Sequence, residues 1–237
     1  MASSSSAGMP IVLVPGLNCS ARLYAEQIPA LWRFGPVMVA DHSRDDSIPA
    51  IARRILAAAP PRFALGGLSM GGYISFEIMR QAPERVVKLA LLDTSARPES
   101  PAQTERRAKA IAKVKAGGFA EATDDSFFFF VHPARYEDTA LMEIVRRMGE
   151  ETGVDAYLRQ QHAIITRPDS RPGLSAIACP TLVLVGEQDK GTTPEMAREI
   201  AGGIAGSRLV AVADCGHLST IERPQAVTKA LVEWLEL

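Results

Sequence analysis

Short apolar runs alternate with amphipathic stretches along the first 96 residues of the chain. The apolar runs have the length of buried strands, and the stretches between them place apolar residues at helical spacing. The residue 86–92 run is apolar apart from Lys88, which is typical of a strand buried on both faces of a parallel sheet. The predicted strands lie at residues 11–14, 36–40, 62–66 and 86–92, and the predicted helices at residues 24–32, 48–58 and 73–81. This alternation predicts an α/β fold with a mostly parallel, doubly wound sheet.

The pattern changes between residues 97 and 175, where helical spacing continues without a strand of comparable quality. Four helices are predicted there, at residues 103–116, 120–128, 136–150 and 154–166. Strands at residues 180–185 and 208–212, with helices at 194–204 and 224–235, then resume the first pattern. We therefore predict one core, residues 9–96 and 176–237, interrupted by a helical insertion at residues 97–175.

The third apolar run ends in Gly67-Leu68-Ser69-Met70-Gly71, which fits the G-x-S-x-G pattern of a nucleophile elbow. A serine held in a strained strand-to-helix turn needs neighbours without Cβ atoms, so that strand and helix can approach closely. The turn also leaves the serine at a helix N-terminus, which favours a developing oxyanion. Alternatives are a flexible glycine loop or the phosphate-binding turn of a dinucleotide fold, but neither G-x-G-x-x-G nor a P-loop lysine is present. Ser69 is therefore the predicted nucleophile.

An acid and a base are expected just after other strands, because functional groups in open α/β sheets gather at the carboxyl ends of the strands. Asp189 and His217 both follow predicted strands, and the order Ser69, Asp189, His217 is the serine, acid, histidine order of hydrolases with this elbow. The histidine would accept the serine proton, and the carboxylate would orient the imidazole. Asp93, which also ends a strand, is a rival acid. The other three histidines, His42, His132 and His162, are expected at structural positions. His42 also follows a strand, so a position at the border of the pocket is its alternative.

Composition narrows the class of protein. With 47% hydrophobic residues, 22% charged residues and a net charge of −1, the chain has the profile of a soluble globular protein and gives no reason to expect nucleic acid or an anionic membrane as partner. No run approaches the length of a membrane span. Three cysteines without metal-ligand spacing favour a reducing, cytoplasmic location without a metal or another cofactor. Residues 1–8 are expected to be a disordered lead-in, and the oligomeric state is left open.

Three segments together resemble the α/β-hydrolase superfamily, and more narrowly its small esterase, enol-lactonase and carbon–carbon hydrolase branch. They are the elbow at residues 66–72, the strand and turn at residues 180–189, and the Asp-Cys-Gly-His segment with its continuation at residues 214–224. The resemblance implies that the helical insertion is a cap over the active site. It also implies an oxyanion hole formed by the backbone N–H groups of Leu17 and Met70. The family usually has His-Gly after its first core strand, whereas this chain has Pro15-Gly16, which leaves the shape of that loop open.

Apolar side chains of the insertion are candidate substrate-binding residues: Phe128, Phe129, Met142 and Tyr157. An equally good interpretation is that they attach the insertion to the core. No cluster of arginines marks a carboxylate site, although Arg22, Arg135 and Arg159 are single candidates.

Three functions remain at this level. The first is a carboxylesterase acting on small to medium esters through an acyl-enzyme. The second is an enol-lactonase or a meta-cleavage carbon–carbon hydrolase of aromatic degradation. The third is a small-ligand receptor or regulatory partner on a hydrolase fold. Because one fold hosts many activities, fold-level analogy does not choose among them.

Overall fold

The structure, a computed structural model of the chain, describes residues 8–237. The predicted lead-in at residues 1–8 lies outside the described residues except for Gly8. The strands are β1 Ile11–Val14, β2 Val37–Val39, β3 Phe63–Leu68, β4 Val86–Leu92, β5 Thr181–Gly186 and β6 Arg208–Val212. The helices are α1 Ile28–Leu31, α2 Ile48–Ala58, α3 Met70–Gln81, α4 Pro101–Lys115, α5 Phe119–Phe130, α6 Thr139–Thr152, α7 Val154–Ile165, α8 Pro194–Gly203, α9 Ser219–Glu222 and α10 Pro224–Glu236.

All six strands are parallel and form one sheet in the order β2-β1-β3-β4-β5-β6. Next to the edge strand β2, Leu13 of β1 pairs with Val39 on one side and with Gly66 on the other. The chain leaves β1 in one direction to form β2, then returns past β1 to form β3 and the remaining strands. Such a reversal opens a crevice at the carboxyl ends of the two strands, here β1 and β3. The predicted α/β class, with a mostly parallel sheet flanked by helices, is confirmed.

The sheet is buried on both faces, as its apolar strands require. Alternate residues of β1 point to opposite sides, so that Val12 belongs to one buried cluster and Leu13 to the other. Helices α2, α3 and α8 cover the first face, where Ile74 of α3 packs with Val12. Helices α1 and α10 cover the second face, where Trp234 is buried in the same cluster as Leu13.

Helices α4 to α7 lie between β4 and β5 in the chain, close to the positions predicted from spacing. Helix α4 begins with Pro101 and a capping box in which the Ser100 side chain accepts from the Gln103 backbone. The division of the chain at residues 97 and 175 stays a prediction, and residues 97–175 are called the helical insertion below.

One predicted helix is shorter than expected. Instead of a continuous helix over residues 24–32, the chain forms a 3-10 turn at Ala21–Tyr24 and the single-turn helix α1 at Ile28–Leu31. Pro29 explains the break, because its ring clashes with the carbonyl four residues earlier and it has no N–H to donate. The proline therefore marks the start of a helix, not its middle.

Candidate active site

Ser69 occupies a sharp turn between β3 and α3. Its backbone has φ 56° and ψ −114°, a strained conformation for a residue with a side chain. A Cβ atom on Gly67 would lie 2.3 Å from the carbonyl oxygen of Gly71, and one on Gly71 would lie 2.0 Å from the carbonyl oxygen of Val14. The two glycines of the motif are therefore required by the close approach of β3, α3 and β1.

Neighbouring groups hold the strained turn on both sides. The Ser69 N–H donates to the carbonyl oxygen of Leu92 at 2.9 Å, and the Thr94 hydroxyl donates to the Ser69 carbonyl at 2.8 Å. Helix α3 begins at Met70, directly after the serine. Among residues 8–237, no acceptor is hydrogen-bonded to the backbone N–H of Met70, which therefore has its donor available at the helix N-terminus.

His217 lies in the loop after β6 and pairs with Asp189 from the loop after β5. The distance between His217 Nδ1 and Asp189 Oδ2 is 2.7 Å, and both side chains are buried. The other three hydrogen bonds to this carboxylate come from the N–H groups of Gly191 and Thr192, at 2.7 and 2.9 Å, and from the Thr192 hydroxyl at 2.7 Å. These bonds fix the orientation of Asp189, and through it that of the imidazole.

A second carboxylate holds the backbone of the histidine loop. Glu222 is buried and accepts from the N–H groups of Gly216 and Leu218, each at 3.0 Å. The N–H of His217 donates to the carbonyl oxygen of Phe130 at 2.8 Å, and the Phe130 ring stacks on the imidazole with ring centroids 4.6 Å apart. The end of α5 therefore contacts the candidate base directly.

Local charges and hydrogen bonds distinguish Asp189 from Asp93, the two aspartates that are candidates for the acid. Burial alone would lower the pKa of His217, but the charge and hydrogen bond of Asp189 outweigh it, with a further contribution from the charge of Glu222. The net result is that the pKa of His217 lies above its ordinary 6.5. Asp93 makes no hydrogen bond to this imidazole and instead contacts Ser219 and the Gly186 N–H. Burial, followed by the nearby charge of Asp189, raises the pKa of Asp93 well above its usual range, which favours its neutral form.

The loop after β1 carries the other predicted oxyanion donor, Leu17. The carbonyl oxygen of Gly16 is 2.8 Å from Nε2 of the buried His42, and the N–H of Asn18 donates to Oε1 of Gln160 at 2.9 Å. Asn18 itself has φ 58°. Among the described residues, no acceptor is hydrogen-bonded to the Leu17 N–H. The loop is thus held from the core by His42 and from helix α7 of the insertion by Gln160.

Ser69 and His217 line one narrow cavity of about 50 Å³ at the carboxyl ends of β1 and β3. Its other walls come from the loop after β1 and from helices of the insertion. A second cavity of about 390 Å³ lies between helices of the insertion and Leu17 of the loop after β1. The two share four lining residues, Leu17, Arg107, Ser126 and Phe130, and are therefore adjacent. A substrate larger than a few atoms would extend from the first cavity into the second.

The structure brings only two of the four predicted substrate-binding side chains to these cavities. Phe129 and Tyr157 line the larger cavity. Phe128 is 44% exposed and packs edge-on against Tyr136, and Met142 packs against the core cluster on the second sheet face. Neither Phe128 nor Met142 lines either cavity. The position of Met142 corresponds to the alternative interpretation, attachment of the insertion to the core, whereas Phe128 packs against Tyr136 of the insertion itself.

The charged lining was not foreseen. The three single arginine candidates are engaged elsewhere, Arg22 with Glu151, Arg135 with Asp138, and Arg159 with the Ser43 carbonyl. Four cationic side chains of α4 instead line the larger cavity, namely Arg106, Arg107, Lys109 and Lys113. None of these four side chains was among the sequence-based candidates. In the sequence these residues are spread along a polar helix, and nothing in the pattern tells which of them face a cavity.

Several supporting residues also escaped sequence analysis, including Thr192, Glu222 and Gln160. Thr192 follows Asp189 by three residues, a spacing typical of a local side-chain turn, and that signal was available. Glu222 and Gln160 act across the fold, and no local pattern indicates their contacts. The nearby Cys19 is not a competing nucleophile, because burial raises the pKa of its thiol to about 12.

Among residues 8–237 no group of three or more side chains is arranged to hold a metal ion. Over the same residues, no helix is long and apolar enough to cross a membrane.

The parallel sheet, the strained serine between β3 and α3, and a histidine–aspartate pair after later strands define the class of α/β hydrolases. A comparison with protein families agrees: the model described as "Alpha/beta hydrolase family" matches residues 11–230. The chain belongs to this family and is a hydrolase.

Relatives within the family include two proteins of known structure and one curated protein. The chain is similar to a thermophilic esterase from Thermogutta terrifontis, with 30% identity and a TM-score of 0.87 over 97% of this chain and 90% of the other. It is also similar to the enol-lactonase from Burkholderia xenovorans LB400, with 26% identity and a TM-score of 0.88 over 99% and 94% of the two chains. The curated 3-oxoadipate enol-lactonase 2 of Acinetobacter baylyi is 27% identical over 72% of this chain and 62% of its own length. The predicted branch of the superfamily is thereby confirmed.

Proposed function

We propose that this chain is a serine hydrolase that cleaves small to medium carboxylic esters through an acyl-enzyme. The observation that carries the proposal is the 2.7 Å contact between His217 and Asp189, with Ser69 and His217 lining the same cavity. Similarity to the thermophilic esterase supports the choice of ester chemistry. In this proposal the helical insertion acts as the cap that shapes the substrate cavity.

The first half of the reaction forms the acyl-enzyme. The Ser69 hydroxyl attacks the ester carbonyl carbon while Nε2 of His217 accepts its proton. The carbonyl oxygen becomes an oxyanion, which the N–H groups of Leu17 and Met70 stabilise. The tetrahedral intermediate collapses, the bond to the alkoxy oxygen breaks, and His217 returns the proton to the departing alcohol.

The second half releases the acid. A water molecule attacks the acyl carbon, and His217 accepts its proton as it did the serine's. Collapse of the second intermediate breaks the bond to Ser69, whose oxygen recovers the proton from His217. Asp189 holds Nδ1 of the imidazole throughout, so that Nε2 faces the reacting atoms, and it stabilises the transient imidazolium.

Steady-state hydrolysis of p-nitrophenyl acetate, butyrate and octanoate by the wild type and by Ser69→Ala tests the proposal. We expect turnover by the wild type with a burst of p-nitrophenol, and a loss of several orders of magnitude in kcat for the variant. A wild type that is inert on all three esters, or an unimpaired Ser69→Ala variant, would contradict it.

A lactonase is the second candidate, because a lactone is an internal ester and requires the same catalytic groups. The similarity to the Burkholderia xenovorans enol-lactonase over 99% of this chain favours it. Comparing kcat/KM for an enol-lactone with that for an open-chain ester of similar size separates the two. A lactone preferred by orders of magnitude would assign the chain to the second candidate.

A further inference from the structure

The larger cavity adjoins the catalytic cavity, so it can hold the part of a substrate that does not react. It is bounded by α4, α5 and α7 of the helical insertion. The catalytic cavity, at about 50 Å³, has little room beyond the reacting group, whereas the adjoining cavity offers about 390 Å³. The chemistry of its lining therefore bears on which substrates fit.

That lining has four cations on α4, three aromatic rings on α5 and α7, and one acidic residue, Asp125. Three of its four cations already have carboxylate partners: Arg107 pairs with Glu99, Lys109 with Glu105, and Lys113 with Asp125. Arg106 differs from them. Within residues 8–237, no carboxylate forms an ion pair with its guanidinium. An arginine without a carboxylate partner at a cavity wall has its hydrogen-bond donors available to a ligand.

One aromatic ring contacts this guanidinium, and a second ring connects the first to the candidate base. The Arg106 guanidinium carbon lies 4.4 Å from the centroid of the Phe129 ring. Phe129 packs edge-on against Phe130 with centroids 4.9 Å apart, and Phe130 stacks on His217. The cation is thus separated from the imidazole by two rings in contact, which sets a fixed direction from the reacting centre to the charge.

We propose that this cavity binds the carboxylate of an ester or lactone whose far end carries a negative charge, and that Arg106 is the residue that determines this specificity. The proposal rests on the proposed function of Ser69 and goes on to name the class of substrate. A guanidinium presents two parallel donors that match the two oxygens of a carboxylate, so it recognises both the charge and the shape of the group. The other cations of the lining are balanced by their carboxylate partners, so Arg106 supplies its uncompensated positive charge.

The test compares two p-nitrophenyl esters of nearly equal size, the monoester of glutaric acid and the ester of pentanoic acid. The measured quantity is the ratio of kcat/KM for the anionic ester to that for the neutral ester. We expect Arg106→Gln to lower this ratio by about 10- to 100-fold, as for the loss of a hydrogen bond to a charged group. Arg106→Lys keeps the charge but not the paired donors, and an intermediate ratio is expected.

Lys115→Gln provides the matched control, since it removes the same charge from the same helix outside the cavity lining. Its ratio is expected to stay near that of the wild type. A ratio unchanged in Arg106→Gln, or lowered equally in Lys115→Gln, overturns the proposal. If the wild type hydrolyses the pentanoate but Arg106→Gln has no selective effect, only this specificity fails. If the wild type hydrolyses neither ester, the proposed function itself fails.

Discussion

Replacing His42 by phenylalanine tests how the proposed oxyanion loop is held. His42 is buried, and its Nε2 lies 2.8 Å from the carbonyl oxygen of Gly16. That carbonyl belongs to the same peptide group as the Leu17 N–H, the proposed oxyanion donor. Burial lowers the pKa of His42 below its ordinary 6.5, so at neutral pH the ring is neutral and Nε2–H donates to the carbonyl. The hydrogen bond therefore holds the plane of the peptide group between Gly16 and Leu17, and with it the direction of the Leu17 N–H.

The expected fall in kcat depends on which hydrogen bonds to the Gly16 carbonyl remain after the substitution. The Gly16 carbonyl would keep only a longer hydrogen bond from the Cys19 N–H, at 3.3 Å. Loss of the bond from His42 costs about 0.5–1.5 kcal/mol. If that loss appears fully in the transition state, kcat falls by about 2- to 13-fold. Complete loss of the Leu17 donor would cost about 10²–10³-fold in kcat, which is the upper limit.

The assay is ester hydrolysis, with kcat and KM measured separately and the folded fraction checked by thermal unfolding. We expect kcat to fall with little change in KM, because the oxyanion forms only in the transition state. His42→Gln, which can return a donor to the carbonyl, should recover part of the rate. His162→Phe makes the same replacement at an exposed position of α7 and serves as the control. A fully folded His42→Phe enzyme whose kcat equals that of His162→Phe would refute the reasoning.

Three further predictions concern the acid, the elbow and the insertion. Asp189→Asn should lower kcat by about 10⁴-fold, as for loss of the acid from a serine triad. It should also move the acidic limb of the pH profile of kcat/KM to lower pH, because Asp189 raises the pKa of His217 and only the neutral imidazole can accept a proton; an unmoved limb contradicts this. Gly72→Ala would place a Cβ atom 2.3 Å from Thr94 Oγ1. It should lower the free energy of unfolding in urea by about 1–3 kcal/mol, and an unchanged midpoint would show that the site can relax. Glu99→Gln leaves the buried Arg167 and the partly buried Arg107 without their carboxylate and should cost about 3–5 kcal/mol in the same measurement, whereas a loss below about 1 kcal/mol would mean that water replaces the pair.

The sheet and the order of its elements were predictable because each strand carries a local signal. Apart from Lys88, the residues of β1 and β4 are apolar on both faces, which is typical of a parallel sheet covered on both sides. The elbow was predictable for a similar reason, since the glycines around Ser69 are needed locally. The helix predicted over residues 24–32 was wrong where Pro29 overrides the apolar periodicity.

Only those residues of the candidate site that closely follow a strand were predictable from the sequence. Asp189 and His217 follow adjacent strands, so the topology alone brings them to one edge of the sheet. What Arg106 contacts, and which face of α4 borders a cavity, depends on how the insertion packs, and a polar helix gives no periodic signal for that. The same limit applies to Gln160, whose contact with Asn18 joins residues 142 positions apart.

The most direct test of the account is covalent labelling of the nucleophile. The protein is treated with an excess of an alkyl fluorophosphonate, which phosphonylates activated serines with loss of fluoride. The mass of the intact chain is then measured, and the modified peptide is located. We predict one adduct per chain on the peptide that contains Ser69, loss of ester hydrolysis in proportion to labelling, and no adduct in Ser69→Ala. An adduct on another residue, or hydrolysis that persists after Ser69 is fully labelled, would contradict the central claim.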